Sequence, residues 1–110
     1  MQKSQNLLFL WILTVGLFFV PGISADTYYI PDDYSSLQFA VNQVQSGDTI
    51  IVRDGTWTGS GFRDVETLSK AITIRSENGP DDCIIDCQDQ GRAFYIHNSE
   101  GRDTVIDGFK

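Results

Sequence analysis

Two groups of side chains in this sequence have the types and spacing to do chemistry. The first is a pair of carboxylates, Asp86 and Asp107, in the matching segments Cys83-Ile84-Ile85-Asp86-Cys87 and Thr104-Val105-Ile106-Asp107-Gly108, 21 residues apart. Stacked on neighbouring strands, the two would lie roughly 5 Å from each other. Oxygen ligands at that spacing suit Ca²⁺, which could bridge to an acidic sugar. By distance alone they also fit a retaining glycosidase pair. The plainer alternative is that each aspartate ends a strand and bonds turn amides.

The second group is Arg53, Arg75 and His97, with Tyr95 beside the histidine. An arginine row can grip carboxylates in a bidentate fashion. Tyr95, Trp57 and Phe62 are candidates to stack on sugar rings, though such aromatics also serve as packing. The competing reading of the charged column is a solvated mixed-charge face, with Asp54, Glu77 and Glu100 offsetting the cations. His97 has no serine or cysteine nucleophile in a recognisable setting, so a catalytic triad finds no support.

These residues need a scaffold that stacks equivalent positions. Thr49 to Trp57, Ala71 to Gly79 and Ala93 to Gly101 align at a spacing of 22 residues. Ile50, Ile72 and Phe94 form one column, and Val52, Ile74 and Ile96 another. Strand side chains alternate with period two, so both columns share a face. A repeat in this range is the mark of a solenoid. The spacing therefore predicts an all-β solenoid, a right-handed parallel β-helix with Val52, Ile74 and Ile96 in one interior row. A β-sandwich with coincidental spacing is the alternative.

The rest of the chain fits around this repeat. Leu37, Ala40, Val41 and Val44 mark one apolar face of a helix over about 35–46, an amphipathic lid for the first coil. Ser35 with Gln38 resembles a capping box. Residues 58–67 are polar, glycine-rich and outside the repeat, which predicts a loop. Cys83 and Cys87 are read as small interior thiols, with a disulfide as the alternative if the strand turns between them.

The N-terminus carries Lys3, the apolar run Leu7 to Val20, then Pro21-Gly22-Ile23-Ser24-Ala25. That order predicts a secretory signal peptide over 1–25, cleaved after Ala25. The run is shorter than the ~18 or more apolar residues of a membrane span. The product would be secreted, extracellular or at the cell surface, with the periplasm as an alternative. A formal net charge of −7 argues against a nucleic-acid partner.

Three stretches carry a family resemblance: IPDDYSSLQFAVNQVQSGDTIIVRDGTW, KAITIRSENGPDDCIIDC and GRAFYIHNSEGRDTVIDGF. They resemble the N-terminal part of right-handed parallel β-helix proteins of the pectin-lyase-like type, across about Tyr28 to Lys110. The resemblance implies a cap and the first two to three coils over 26–110, in a set of carbohydrate-binding proteins and sugar hydrolases. Such proteins usually continue through further coils, so the chain reads as truncated. The enzymes place their catalytic residues on later coils, so no catalytic residue is carried over.

The expected function is a secreted protein with a carbohydrate-associated or cell-surface role and no activity of its own. The alternatives are the head of a polysaccharide lyase, glycoside hydrolase or pectin esterase, and a structural or adhesive surface module. Expected partners are a polysaccharide, further coils of a longer parent, or a second copy joined through the open C-terminal end. No cofactor is expected beyond Ca²⁺ at Asp86 and Asp107.

Overall fold

The computed structural model describes residues 25–97 and 103–110. Most of the predicted leader therefore lies outside the described residues, as does the turn after His97. Strand β1 (Thr27–Ile30) is followed by helix α1 (Leu37–Gln43), β2 (Thr49–Val52) and β3 (Gly55–Trp57). A 3-10 turn (Ser60–Phe62), β4 (Thr73–Ser76), β5 (Cys83–Ile85) and β6 (Val105–Asp107) complete the order.

Helix α1 is short because its ends are fixed by side chains. Ser36, in an extended conformation, caps the N-terminus, its hydroxyl accepting from Phe39 N at 3.4 Å. Val44 leaves the helical region at the other end. There the Lys70 ammonium donates to the carbonyls of Val41 and Val44, each at 2.6 Å. A cation on the last carbonyls satisfies orphan acceptors and opposes the negative end of the helix. Leu37, Ala40, Val41 and Val44 are all buried, as their spacing requires.

The strands are parallel throughout and lie in two sheets. The first has the order β1-β2-β4-β6 and the second pairs β3 with β5. In the first sheet Tyr28, Ile50, Ile74 and Ile106 share one register position. Ile50 and Ile74, on central strands, are fully buried, whereas Ile106 on the edge is half-buried. The core gathers Ile30, Ile50, Val52, Ile72 and Ile74 with the apolar face of α1, Phe62, Val65, Cys83 and Ile85. Both cysteines are free; Cys83 is buried and Cys87 half-buried.

The described residues thus form a small α/β domain, with one helix completing the core and parallel strands in two sheets. This corrects the expected all-β solenoid, the right-handed parallel β-helix of 22-residue coils. Register is what overturns the expectation. Ile50 opposes Ile74, a step of 24 residues, and Ile74 opposes Ile106, a step of 32. Val52 opposes Ser76 rather than Ile74, and Ile96 is 42% exposed. The predicted row of Val52, Ile74 and Ile96 does not exist, because the connecting loops differ in length and a fixed step cannot survive them. The segment around Phe94 leaves the first sheet altogether and bridges in parallel to Val65.

Candidate functional site

Two polar constellations stand out, and each sets an arginine over a tyrosine. The first is built where β1, β2 and β4 end side by side. The Arg53 guanidinium lies over the Tyr29 ring, 4.4 Å from its centroid. Its Nε and one terminal nitrogen donate to the two oxygens of Asp32, at 2.9 and 3.1 Å. The other terminal nitrogen donates to Glu77 at 2.7 Å. This is a bidentate, charge-assisted arrangement with a third bond added. The Arg53 hydrogen bond holds the Asp32 carboxyl below its ordinary range. The same two carboxylates push the Arg53 guanidinium upward, the Asp32 hydrogen bond first. Three of the five N–H donors of Arg53 go to two carboxylates, so it ties three strand ends together.

The second constellation lies between two segments outside the named strands. Asp64 N donates to Arg92 O at 2.5 Å, Val65 N to Ala93 O at 3.0 Å and Tyr95 N to Val65 O at 2.9 Å. This short parallel ladder presents Arg92, Tyr95 and His97 on one side and Asp64 and Glu66 on the other. The His97 and Tyr95 rings stack, with centroids 4.1 Å apart and planes 15° from parallel. The Arg92 guanidinium lies 4.5 Å from the Tyr95 centroid. Glu66 meets His97 Nε2 at 3.0 Å, and Asp64 meets Arg92 Nε at 3.6 Å. Tyr95 remains 38% exposed.

The ladder is held to the helix by one side chain. Gln38 donates from Nε2 to the Glu66 carbonyl at 3.1 Å and accepts from Glu66 N at 2.9 Å. The amide thus imitates a neighbouring strand and fixes the backbone that carries Glu66. Gly91 adds a second constraint. It has φ +152°, and a Cβ there would sit 2.6 Å from Asp64 Oδ2, so only glycine leaves that carboxylate its place beside Arg92.

The sequence-predicted site residues are distributed differently from their expected columns. Tyr95 and His97 do come together. Arg53 stands in the strand-end clamp, apart from them. Arg75 lies in register with Ile51 and Asp107 and donates to the Ser76 carbonyl at 3.2 Å. The column of Arg53, Arg75 and His97 is therefore corrected: the 24-residue step sets Glu77, not Arg75, beside Arg53. The stacked pair Asp86 and Asp107 is corrected as well, since Asp107 belongs to the first sheet while Asp86 follows β5 of the second. Asp86 accepts from Gln88 N at 2.9 Å, the turn-forming use of an aspartate. Among the described residues no three His, Cys, Asp or Glu side chains cluster so as to hold a metal.

Trp57 and Phe62 stack on each other at 5.4 Å, and Phe62 is buried, so this pair is part of the packing. The sequence does not single out Arg92, Asp64 or Glu66, and it reads Gln38 only as part of a capping box with Ser35. Their contacts join segments 28 residues apart through loops that follow no repeat. The one available signal was Gln38 on a helix that is otherwise regular. Comparison with protein-family models, with curated proteins and with solved structures finds no match for this chain.

Proposed function

We propose that this chain is an exported, carbohydrate-associated domain that binds a glycan at the extracellular or cell surface and does not cleave it. The observation that carries the reading is the exposed stack of Arg92, Tyr95 and His97, bordered by Asp64 and Glu66. A sugar ring has one face of C–H groups and a rim of hydroxyls. An exposed aromatic surface accepts the first, and neighbouring carboxylates, guanidinium and imidazole serve the second as acceptors and donors. The signal peptide expected over 1–25 from the sequence supports export, where such ligands are found.

The test is a titration of the purified protein with neutral and acidic oligosaccharides, followed by the NMR signals of Tyr95 and His97. Binding should shift both, and Tyr95→Ala should weaken affinity about two- to tenfold while the melting temperature stays put. Oligosaccharides that leave both signals unmoved would remove the reading. Incubation with polygalacturonate and Ca²⁺ completes it: chain cleavage by the pure protein would mean an enzyme and not a binding domain.

A further inference from the structure

Among the described residues Asp48 is the one buried acid, only 4% exposed. Both of its oxygens accept from backbone amides, Oδ1 from Asp26 N at 3.0 Å and Oδ2 from Gln45 N at 2.9 Å. Asp48 N in turn donates to Gln45 O at 3.0 Å, so the turn before β2 holds this carboxylate in place. Asp26 is fixed as well, its carbonyl accepting from Thr49 N at 2.9 Å. No cationic side chain among the described residues pairs with Asp48. Lys70, next to Ala71 on the same turn, gives its ammonium to the carbonyls of Val41 and Val44. The Tyr28 hydroxyl is pushed up, by desolvation first and then by the charges of Asp26 and Asp48, so this corner is negative. A buried carboxylate held by neutral amides is short of a counter-charge.

Asp26 is also the residue that cleavage after Ala25 would make the first of the chain. We infer that Asp48 is the receiving site for that new N-terminus: removal of the leader turns the Asp26 amide into an α-ammonium, which stays on the Asp48 carboxylate as an ion pair the uncleaved chain cannot form. The inference rests on the export reading of the leader. Hydrolysis by an export peptidase adds water across the Ala25–Asp26 bond, leaving a carboxylate on Ala25 and a protonated amine on Asp26. No rearrangement is needed, because the nitrogen and Oδ1 already lie 3.0 Å apart. Making the donor ionic roughly doubles the strength of such a bond. Asp26 is exposed, so the other N–H groups of the ammonium stay hydrated and its desolvation is slight. Strand residues advance by about 3.3 Å, so a terminus at Thr27 would leave its ammonium out of reach of Asp48. The titratable groups around the amine are Asp48, the Asp26 carboxylate and the Tyr28 and Tyr34 hydroxyls. Pairing with Asp48 raises the amine above its ordinary value of about 7.7–8.0. A raised base stabilises the fold fully below its unfolded value, and the contribution is lost as pH climbs through the folded one.

The test expresses the full chain in an exporting host and collects the secreted protein. N-terminal sequencing should begin at Asp26, and NMR should show the α-amine titrating above about 8. Selective acetylation of that amine keeps the N–H donor and removes only the charge. The acetylated protein should melt about 4–8 °C lower at about pH 7, and the gap should close at alkaline pH as the free amine loses its proton. Asp48→Asn should return the amine to its ordinary value. An amine that titrates at or below about 8 in the parent overturns the inference, as does one that Asp48→Asn leaves unmoved. Equal melting of the free and acetylated proteins at about pH 7 overturns it without any variant. A chain that keeps its leader, or is cut elsewhere, removes the expected cleavage and the inference with it. A secreted chain that begins at Asp26 yet has an ordinary amine overturns the inference alone and leaves the export reading standing.

Discussion

The two arginine–tyrosine pairs are close to identical in the one distance that defines them, 4.4 Å for Arg53 over Tyr29 and 4.5 Å for Arg92 over Tyr95. What differs is how many other bonds each arginine makes. Arg53 holds two carboxylates through three bonds of 2.7 to 3.1 Å. Arg92 has one carboxylate at 3.6 Å, and its side chain is 63% exposed against 39% for Arg53. A guanidinium whose charge is already met by two carboxylates through three bonds has little left for an anionic ligand, and its value lies in locking strand ends. A guanidinium loosely tethered over an exposed ring still has donors facing solvent. Residue type and cation–π contact therefore do not separate scaffold from site; hydrogen-bond saturation does.

The comparison can be broken most forcefully at Gln38, which lies outside both pairs but supports only the second. Gln38→Leu keeps the size of the side chain and removes both bonds to the Glu66 backbone. A part-buried N–H and C=O would lose their partners, at a cost of about 1–3 kcal/mol. Chemical denaturation should report that loss. Oligosaccharide affinity should fall with it, because Glu66 and the His97 it meets would lose their fixed position. The Arg53 clamp should be untouched, its Asp32 and Glu77 contacts intact by NMR. A variant as stable as the parent would show that the helix and the ladder hold together without this amide.

Next in size is the direct exchange of roles between the arginines. Arg53→Met retains an apolar stem over Tyr29 but frees Asp32 and Glu77 at neighbouring strand ends. The melting temperature should fall by several degrees, a drop of roughly 4–8 °C being the response of a small domain to a modest loss. Arg92→Met should move it by less than about 2 °C, as exposed, loosely paired charges contribute little. Its effect should appear in ligand affinity instead. Equal melting shifts for the two variants would erase the distinction between clamp and site.

Much of the scaffold was legible in the residues. Leu37, Ala40, Val41 and Val44 announced an apolar helical face, and all four are buried. The strand-forming runs at 49–52, 73–76, 83–85 and 105–107 all carried β-branched or apolar alternation. Register was not legible, because a column is set by loop length as well as by pattern. The loops between β2 and β4 and between β4 and β6 give unequal steps, and a single fixed period had no means of showing it. Ala93 to His97 had the alternation of a strand in the main sheet, yet Phe94 packs near Phe109 and bridges to Val65. For the candidate site, Tyr95 and His97 were visible as an aromatic pair two residues apart. Their carboxylate partners were not, since Asp64 and Glu66 sit in a polar stretch that reads as loop. The sequence pairs Gln38 with Ser35 in a cap, whereas Ser36 forms the cap and Gln38 reaches across to the ladder.

The smallest effect expected is one of pH, and it belongs to the Arg53 clamp. Asp32 has its folded-state carboxyl lowered by the Arg53 hydrogen bond. A depressed acid stabilises the fold at pH above its unfolded value, and that contribution is lost as pH falls through the lowered folded value. The clamp should therefore be at full strength at neutral pH and should fade only below the ordinary carboxylate range. Both groups are solvent-accessible, so the slope will be shallow and will shrink further in high salt. Asp32→Asn should flatten the acid limb of a stability-against-pH curve. An acid limb unaltered by Asp32→Asn would mean that the short bonds to Arg53 form without favouring the ionised carboxylate, and the claim that saturation marks the clamp would lose its energetic basis.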